Sequence, residues 1–193
     1  MLALLNALAV LAVAVSIQPP PDRGPWLAIR PAEFVRVQVR PDGGWRVIDR
    51  GPAAPEDNVD KLFVRRATGE VTSGPKGEAP PVETGDVVFL SDKDIEEATG
   101  GTAPAETTDV VRFDLKPLAA GKGMLLVVTN GYQRRLSYRG YLWRQPSNRM
   151  EATSVCPVLG SGHGYEHWPY PFAELDVGGF QLTEEARQDM ECR

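Results

Sequence analysis

The chain has 193 residues, enough for one globular domain or two small ones. Its 42% hydrophobic and 24% charged content is ordinary for a folded protein, so wholesale disorder is excluded. With 19 glycines and 17 prolines it is far richer in turn formers than a helix bundle, and with a net charge of −5 nothing suggests a nucleic-acid binder, so no nucleic-acid partner is expected.

Residues 1–17 carry no charge, and only Asn6 and Ser16 among them are polar. Such a short apolar core, followed by small residues at the right spacing in Ala12-Val13-Ala14 and Ala14-Val15-Ser16, has the form of a secretory signal. Residues 1–16 are therefore expected to be a cleaved signal peptide, although no Lys or Arg precedes the core. An uncleaved anchor is the alternative, because the run just reaches the lower length of a membrane span. Membrane attachment is expected only in that case. No Cys follows the core, which excludes a lipoprotein anchor through cysteine.

Residues 17–25 read as a proline-rich lead-in, and 26–193 as a single domain. Between Glu33 and Asp49, Val35, Val37 and Val39 alternate with Arg36, Gln38 and Arg40, the period of a half-buried strand. Pro41-Asp42-Gly43-Gly44 supplies a turn, and pairing Val39 with Trp45 and Val37 with Val47 keeps the apolar sets on one side. Leu62–Arg65 reads as a second strand. Residues 67–85 read as a long loop, Asp86–Leu90 as a strand and Ser91–Ala98 as a short helix capped by Ser91. Strands follow at Asp109–Leu115, at Met124–Val128 before the Asn130-Gly131 turn, and at Arg134–Trp143. Thr153–Leu159 and Asp176–Leu182 complete the set, and Thr183 can cap a final helix over 184–190. Seven to nine short strands with one or two short helices predict an all-β chain, an antiparallel β-sandwich of the immunoglobulin-like kind.

Charge is unevenly placed. Residues 78–114 hold ten acids against Lys93 and Arg112, whereas 130–150 hold Arg134, Arg135, Arg139, Arg144 and Arg149 and no acid. The plain reading is solvated strand faces. The sharper one is an arginine face for an anionic partner, because the guanidinium fork matches carboxylate and phosphate.

Both histidines fall in His163-Gly164-Tyr165-Glu166-His167, the pattern H-x-x-E-H of inverted zinc peptidases. That chemistry needs a helix, where residues four apart share a face. Gly160, Gly162 and Gly164 before, and Pro169 and Pro171 after, leave room for barely one turn. A metal site using His163, His167 and Glu166 is one reading, and a zinc hydrolase built on the same residues is a remoter one. The favoured reading is architectural: Tyr165, Trp168 and Tyr170 lock an irregular loop onto a sheet edge, with Trp168 buried and His167 bonded to backbone. No cofactor motif is present. Gly160-Ser161-Gly162 lacks the outer glycines of a nucleophile elbow, and Gly121-Lys122-Gly123 lacks the spacing of a phosphate loop.

The two cysteines, Cys156 and Cys192, form an even pair in a chain that reads as exported, which predicts a disulfide; two separate buried thiols are the alternative.

Asn130-Gly131-Tyr132, the strand Leu136-Ser137-Tyr138-Arg139, Cys156 and the hexapeptide Glu166-His167-Trp168-Pro169-Tyr170-Pro171 resemble a group of uncharacterised proteobacterial exported proteins. The resemblance runs from Leu126 to Phe180 and implies an exported β-rich protein with no assigned activity. The expectation is thus a periplasmic or secreted protein with a structural or binding role, no catalysis and no cofactor. Its expected partner is an envelope protein or an anionic envelope component.

Overall fold

A computed structural model describes residues 26–67, 109–119, 123–144, 149–184 and 192. The signal peptide, the whole lead-in, the 67–85 loop beyond its first residue, the strand at 86–90 and the helix at 91–98 lie outside the described residues. So does nearly all of the expected C-terminal helix.

Among the described residues, nine strands form two antiparallel sheets. They are β1 (Leu27–Ile29), β2 (Glu33–Val39), β3 (Trp45–Pro52), β4 (Val111–Pro117), β5 (Met124–Asn130), β6 (Arg135–Arg144), β7 (Arg149–Thr153), β8 (His163–Trp168) and β9 (Glu174–Thr183). One sheet has the order β1-β9-β6-β7 and the other β3-β2-β4-β5-β8. The all-β sandwich is as the turn-rich, alternating sequence implies. Within the five-stranded sheet β2 pairs with both β3 and β4.

The β2–β3 hairpin shows how sequence sets register. Val35, Val37 and Val39 are buried, and Val37 pairs with Val47 and Val39 with Trp45, as the apolar alternation requires. The Asp42 carboxylate accepts from the Gly44 amide and stabilises the turn. Ile48 is the extra residue of a bulge that shifts the register, so Arg36 lies opposite Asp49. β9 carries a second bulge, where Gly179 takes φ of 64°, a conformation that glycine adopts without Cβ strain.

Inward side chains of both sheets form one core. Phe113 of β4 meets Tyr138 of β6 at 5.6 Å and Phe180 of β9 at 5.8 Å between ring centroids, so aromatic rings join the two layers. Tyr132 fastens one end: its hydroxyl donates to the Val39 carbonyl and accepts from the Val39 amide. Asn130, fully buried, donates from Nδ2 to the carbonyls of Arg134, Val158 and Leu159 and accepts from the Tyr132 amide. A side chain read from sequence as one half of a turn is therefore the pin between the β5–β6 turn and residues 158–159.

Two expected strands are different. Leu62–Arg65 belongs to a helix, α1 (Asn58–Ala67). Asp57 and Asp60 cap it reciprocally, each amide donating to the other's carboxylate. Phe63 and Val64 of this helix bury against Leu118, Leu125 and Val127 on the outer face of the five-stranded sheet, and Val59, one turn before Phe63, is buried as well. Asp60 also meets Lys116 of β4 at 2.5 Å in a buried pair. Thr153–Leu159 is strand only at its first residue, the last of β7; beyond it the chain is irregular and Val158 makes a single bridge to Leu136.

Candidate functional site

The H-x-x-E-H segment is β8, the edge strand of the five-stranded sheet, and not an irregular loop. Its flanking glycines and prolines stop a helix but not a strand paired along β5 from Thr129–His163 to Met124–Trp168. Alternation along the strand then decides every role. His163, Tyr165 and His167 project to the outer face, whereas Gly164, Glu166 and Trp168 project between the sheets.

This geometry removes the trio as one metal centre. Four residues of strand separate the two imidazole-bearing positions by about 13 Å of backbone, and the carboxylate lies on the opposite face. Among the described residues no group of three His, Cys, Asp or Glu side chains is placed to hold a metal ion. The zinc-hydrolase reading falls with the helix that it needed.

On the outer face His163 Nδ1 lies 3.1 Å from the Thr129 hydroxyl. Packing lowers its pKa, an effect partly offset by the nearby carboxylates Asp57 and Asp60. Tyr165 stacks on Phe63 of α1 with centroids 5.0 Å apart, and burial raises its phenol far above the usual range. On the inner face Trp168 is buried, donates from Nε1 to the Thr153 hydroxyl at 2.8 Å and packs edge-to-face on Phe172. Tyr170 lies beyond the strand, under the Arg144 guanidinium at 4.4 Å. The three aromatics thus serve three places: helix docking, core and turn.

Glu166 is the least ordinary group on the strand. Its Oε1 accepts from the Cys156 amide at 2.6 Å. Burial pushes its carboxyl up to about 7, against the pull of that one hydrogen bond. Tyr138 of β6 lies within reach of its charge; the buried Tyr138 hydroxyl has no hydrogen-bond partner among the described residues, and burial raises its pKa well above normal.

The Cys156–Cys192 disulfide is present, with Cα atoms 4.1 Å apart. It fits an oxidising compartment. Among the described residues no helix is long and apolar enough to cross a membrane.

The five arginines do not share one face. Arg134 sits before β6, donating to the Leu182 carbonyl at 2.6 Å and facing Glu184 at 3.1 Å. Arg135 is buried and Arg139 is exposed, both on the outer side of β6. Arg144 pairs with Glu151 at 3.2 Å, and Arg149, exposed, lies opposite it on β7. Burial, ion pairing and strand alternation divide what the sequence groups together.

One concavity escaped the sequence reading. An open cleft of about 450 Å³ lies at one end of the sandwich, among the β2–β3 turn, the start of β4, the β5–β6 turn and the end of β9. Arg40, Asp109, Tyr132, Arg134 and Leu182 line it. Its residues are up to 144 positions apart in sequence, so no local motif announces it. Both arginines face carboxylates of this chain, Arg40 that of Asp42 at 3.6 Å and Arg134 that of Glu184 at 3.1 Å.

Compared with family models, curated proteins and solved structures, the chain matches none.

Proposed function

We propose that this chain is an exported, disulfide-stapled β-sandwich that acts as a binding module of the cell envelope, without catalysis. The observation that carries the proposal is the Cys156–Cys192 crosslink, which joins both cysteines of the chain. A crosslink of this kind persists outside the reducing cytosol, and the apolar, charge-free run at residues 1–17 supports the route there. Binding is favoured over a purely structural role by the end-on cleft, because loops gathered at one end of a sandwich present side chains that a rigid scaffold holds in place. The partner is an envelope component met by mixed polar and apolar contact. The resemblance of residues 126–180 to exported proteins agrees with this reading.

Export is tested by intact mass of the protein recovered from the periplasmic fraction, without reductant. The expected mass is that of a chain beginning at Ile17, less the two hydrogen atoms lost when the two thiols are oxidised to the disulfide. Material that retains Met1, or that carries two free thiols, contradicts the proposal.

A further inference from the structure

Segments from both sheets meet where the end-on cleft opens, and hydrogen bonds fix them there. The Tyr132 hydroxyl, bonded to both backbone groups of Val39, holds the β5–β6 turn against the end of β2. The Gly131 amide donates to the Val110 carbonyl, which brings Asp109 alongside that turn. Two backbone bonds close the β2–β3 turn, Arg40 to Gly44 at 2.7 Å and Gly43 to Arg40 at 2.9 Å. The Arg40 guanidinium folds back over Gly44, where a Cβ would collide with it. The walls of the cleft are therefore formed before any ligand arrives.

Arg134 is the wall residue whose hydrogen bonding the fold leaves incomplete. Its Nη2 donates to the Leu182 carbonyl at 2.6 Å, which fixes the guanidinium against β9. Its buried Nε–H has no hydrogen-bond partner among the described residues. Glu184 Oε1 lies 3.1 Å from that nitrogen but off the direction of the N–H, on a side chain that is 84% exposed. Arg40 and Asp42, 3.6 Å apart, are both exposed as well. Exposed pairs of this kind are weak and yield to a better-placed acceptor, whereas a buried N–H without one is costly.

The chemistry of the walls selects the acceptor. A planar guanidinium matches a carboxylate through two parallel hydrogen bonds. Tyr132, Pro41 and Leu182 supply apolar surface in the same cleft. Asp109, whose charge reaches the Tyr132 phenol, disfavours a second negative group. A volume of about 450 Å³ suits a small molecule.

We propose that the cleft binds an organic monocarboxylate with an apolar body, its carboxylate on Arg134 in place of Glu184 and its body on Tyr132, Pro41 and Leu182. The assignment rests on the reading of the cleft as the binding site and adds the ligand class to it. No covalent bond changes.

The test is an NMR titration of the disulfide-intact mature protein with N-acetyl-leucine and with its primary amide, which lacks only the charged carboxylate. The acid is expected to shift the amide signals of Asp109, Tyr132 and Gln133 and to bind at least about tenfold more tightly than the amide. Glu184→Gln weakens the internal competitor on an exposed side chain and should tighten binding of the acid about threefold or more. Arg134→Gln should erase the preference for the acid. A short peptide ending in leucine that binds more tightly than N-acetyl-leucine assigns the carboxylate to a peptide terminus, and one that binds more weakly assigns it to a free acid. Equal affinity for acid and amide overturns the monocarboxylate while leaving the cleft a binding site, as does inorganic phosphate binding as tightly as the acid. No shift with either probe at about 10 mM overturns both readings of the cleft. Should Arg134→Gln not fold, the probe pair and Glu184→Gln still decide, because unchanged or weaker binding of the acid in Glu184→Gln overturns the displacement.

Discussion

The two faces of β8 occupy one strand of six residues and behave oppositely. Outside, His163, Tyr165 and His167 meet α1 and solvent; inside, Gly164, Glu166 and Trp168 meet the core and the disulfide-bearing segment. Burial favours the neutral form on both faces, lowering His163 and raising Glu166. The stability consequences have opposite signs. With Glu166 raised, the folded state binds more protons than the unfolded one between 4.5 and about 7, so stability falls as pH rises through that window. With His163 lowered, the unfolded state binds more protons below 6.5, so stability rises with pH up to that value. A motif read as one chemical unit is two environments back to back.

The comparison is broken most forcefully from inside. Trp168→Ala removes a buried ring and its hydrogen bond to Thr153, and should cost about 3–5 kcal/mol in denaturant unfolding. A cost below about 1 kcal/mol would mean that Trp168 is not core. The outer layer has its own anchor. Asp60→Ala unseats both the α1 cap and the buried Lys116 partner, for an expected loss of about 3 kcal/mol, while Asp60→Ala with Lys116→Met should recover most of it. Failure of the double variant to recover would place the cost in the cap.

Protons sharpen the contrast. Unfolding free energies measured from pH 4.5 to 7.5 should contain a Glu166 contribution that falls by at most about 3 kcal/mol, and Glu166→Gln should remove that fall. An unchanged slope in the variant would show that Glu166 does not titrate inside the fold. The smallest effect lies outside: His163→Ala removes a ring that is packed on one side but reaches solvent at the end of β8, with Nδ1 3.1 Å from the Thr129 hydroxyl, and should cost under about 0.5 kcal/mol, with no change in unfolding midpoint on adding zinc. A micromolar zinc stabilisation lost in this variant would restore the metal reading.

Where the sequence pattern was regular, structure followed it. Val35, Val37 and Val39 alternate with charged or polar partners, and the β2–β3 hairpin has the register that alternation demands. Helix α1 was hidden because Leu62–Arg65 is short and apolar, a run that suits either element. Its signals were the Asp57–Asp60 capping pair and the Val59–Phe63 spacing. Residues 154–159 are apolar enough for a strand but are held by one bridge, the Asn130 amide and Glu166, tertiary contacts without a local pattern. β8 itself was obscured by chemistry: its inner face is Gly164, Glu166 and Trp168, so the period of two is not a period of apolar residues. The cleft was invisible for a simpler reason, because four separate segments meet to form it.

The central claim is that strand alternation turns Glu166 inward, away from both histidines. The most direct measurement is a ¹³C NMR titration of the Glu166 side-chain carboxyl in the oxidised mature protein, assigned by its loss in Glu166→Gln. The account predicts a midpoint of about 7, set by burial against a single amide donor. A midpoint near 4.5 would put the carboxylate in water and contradict it.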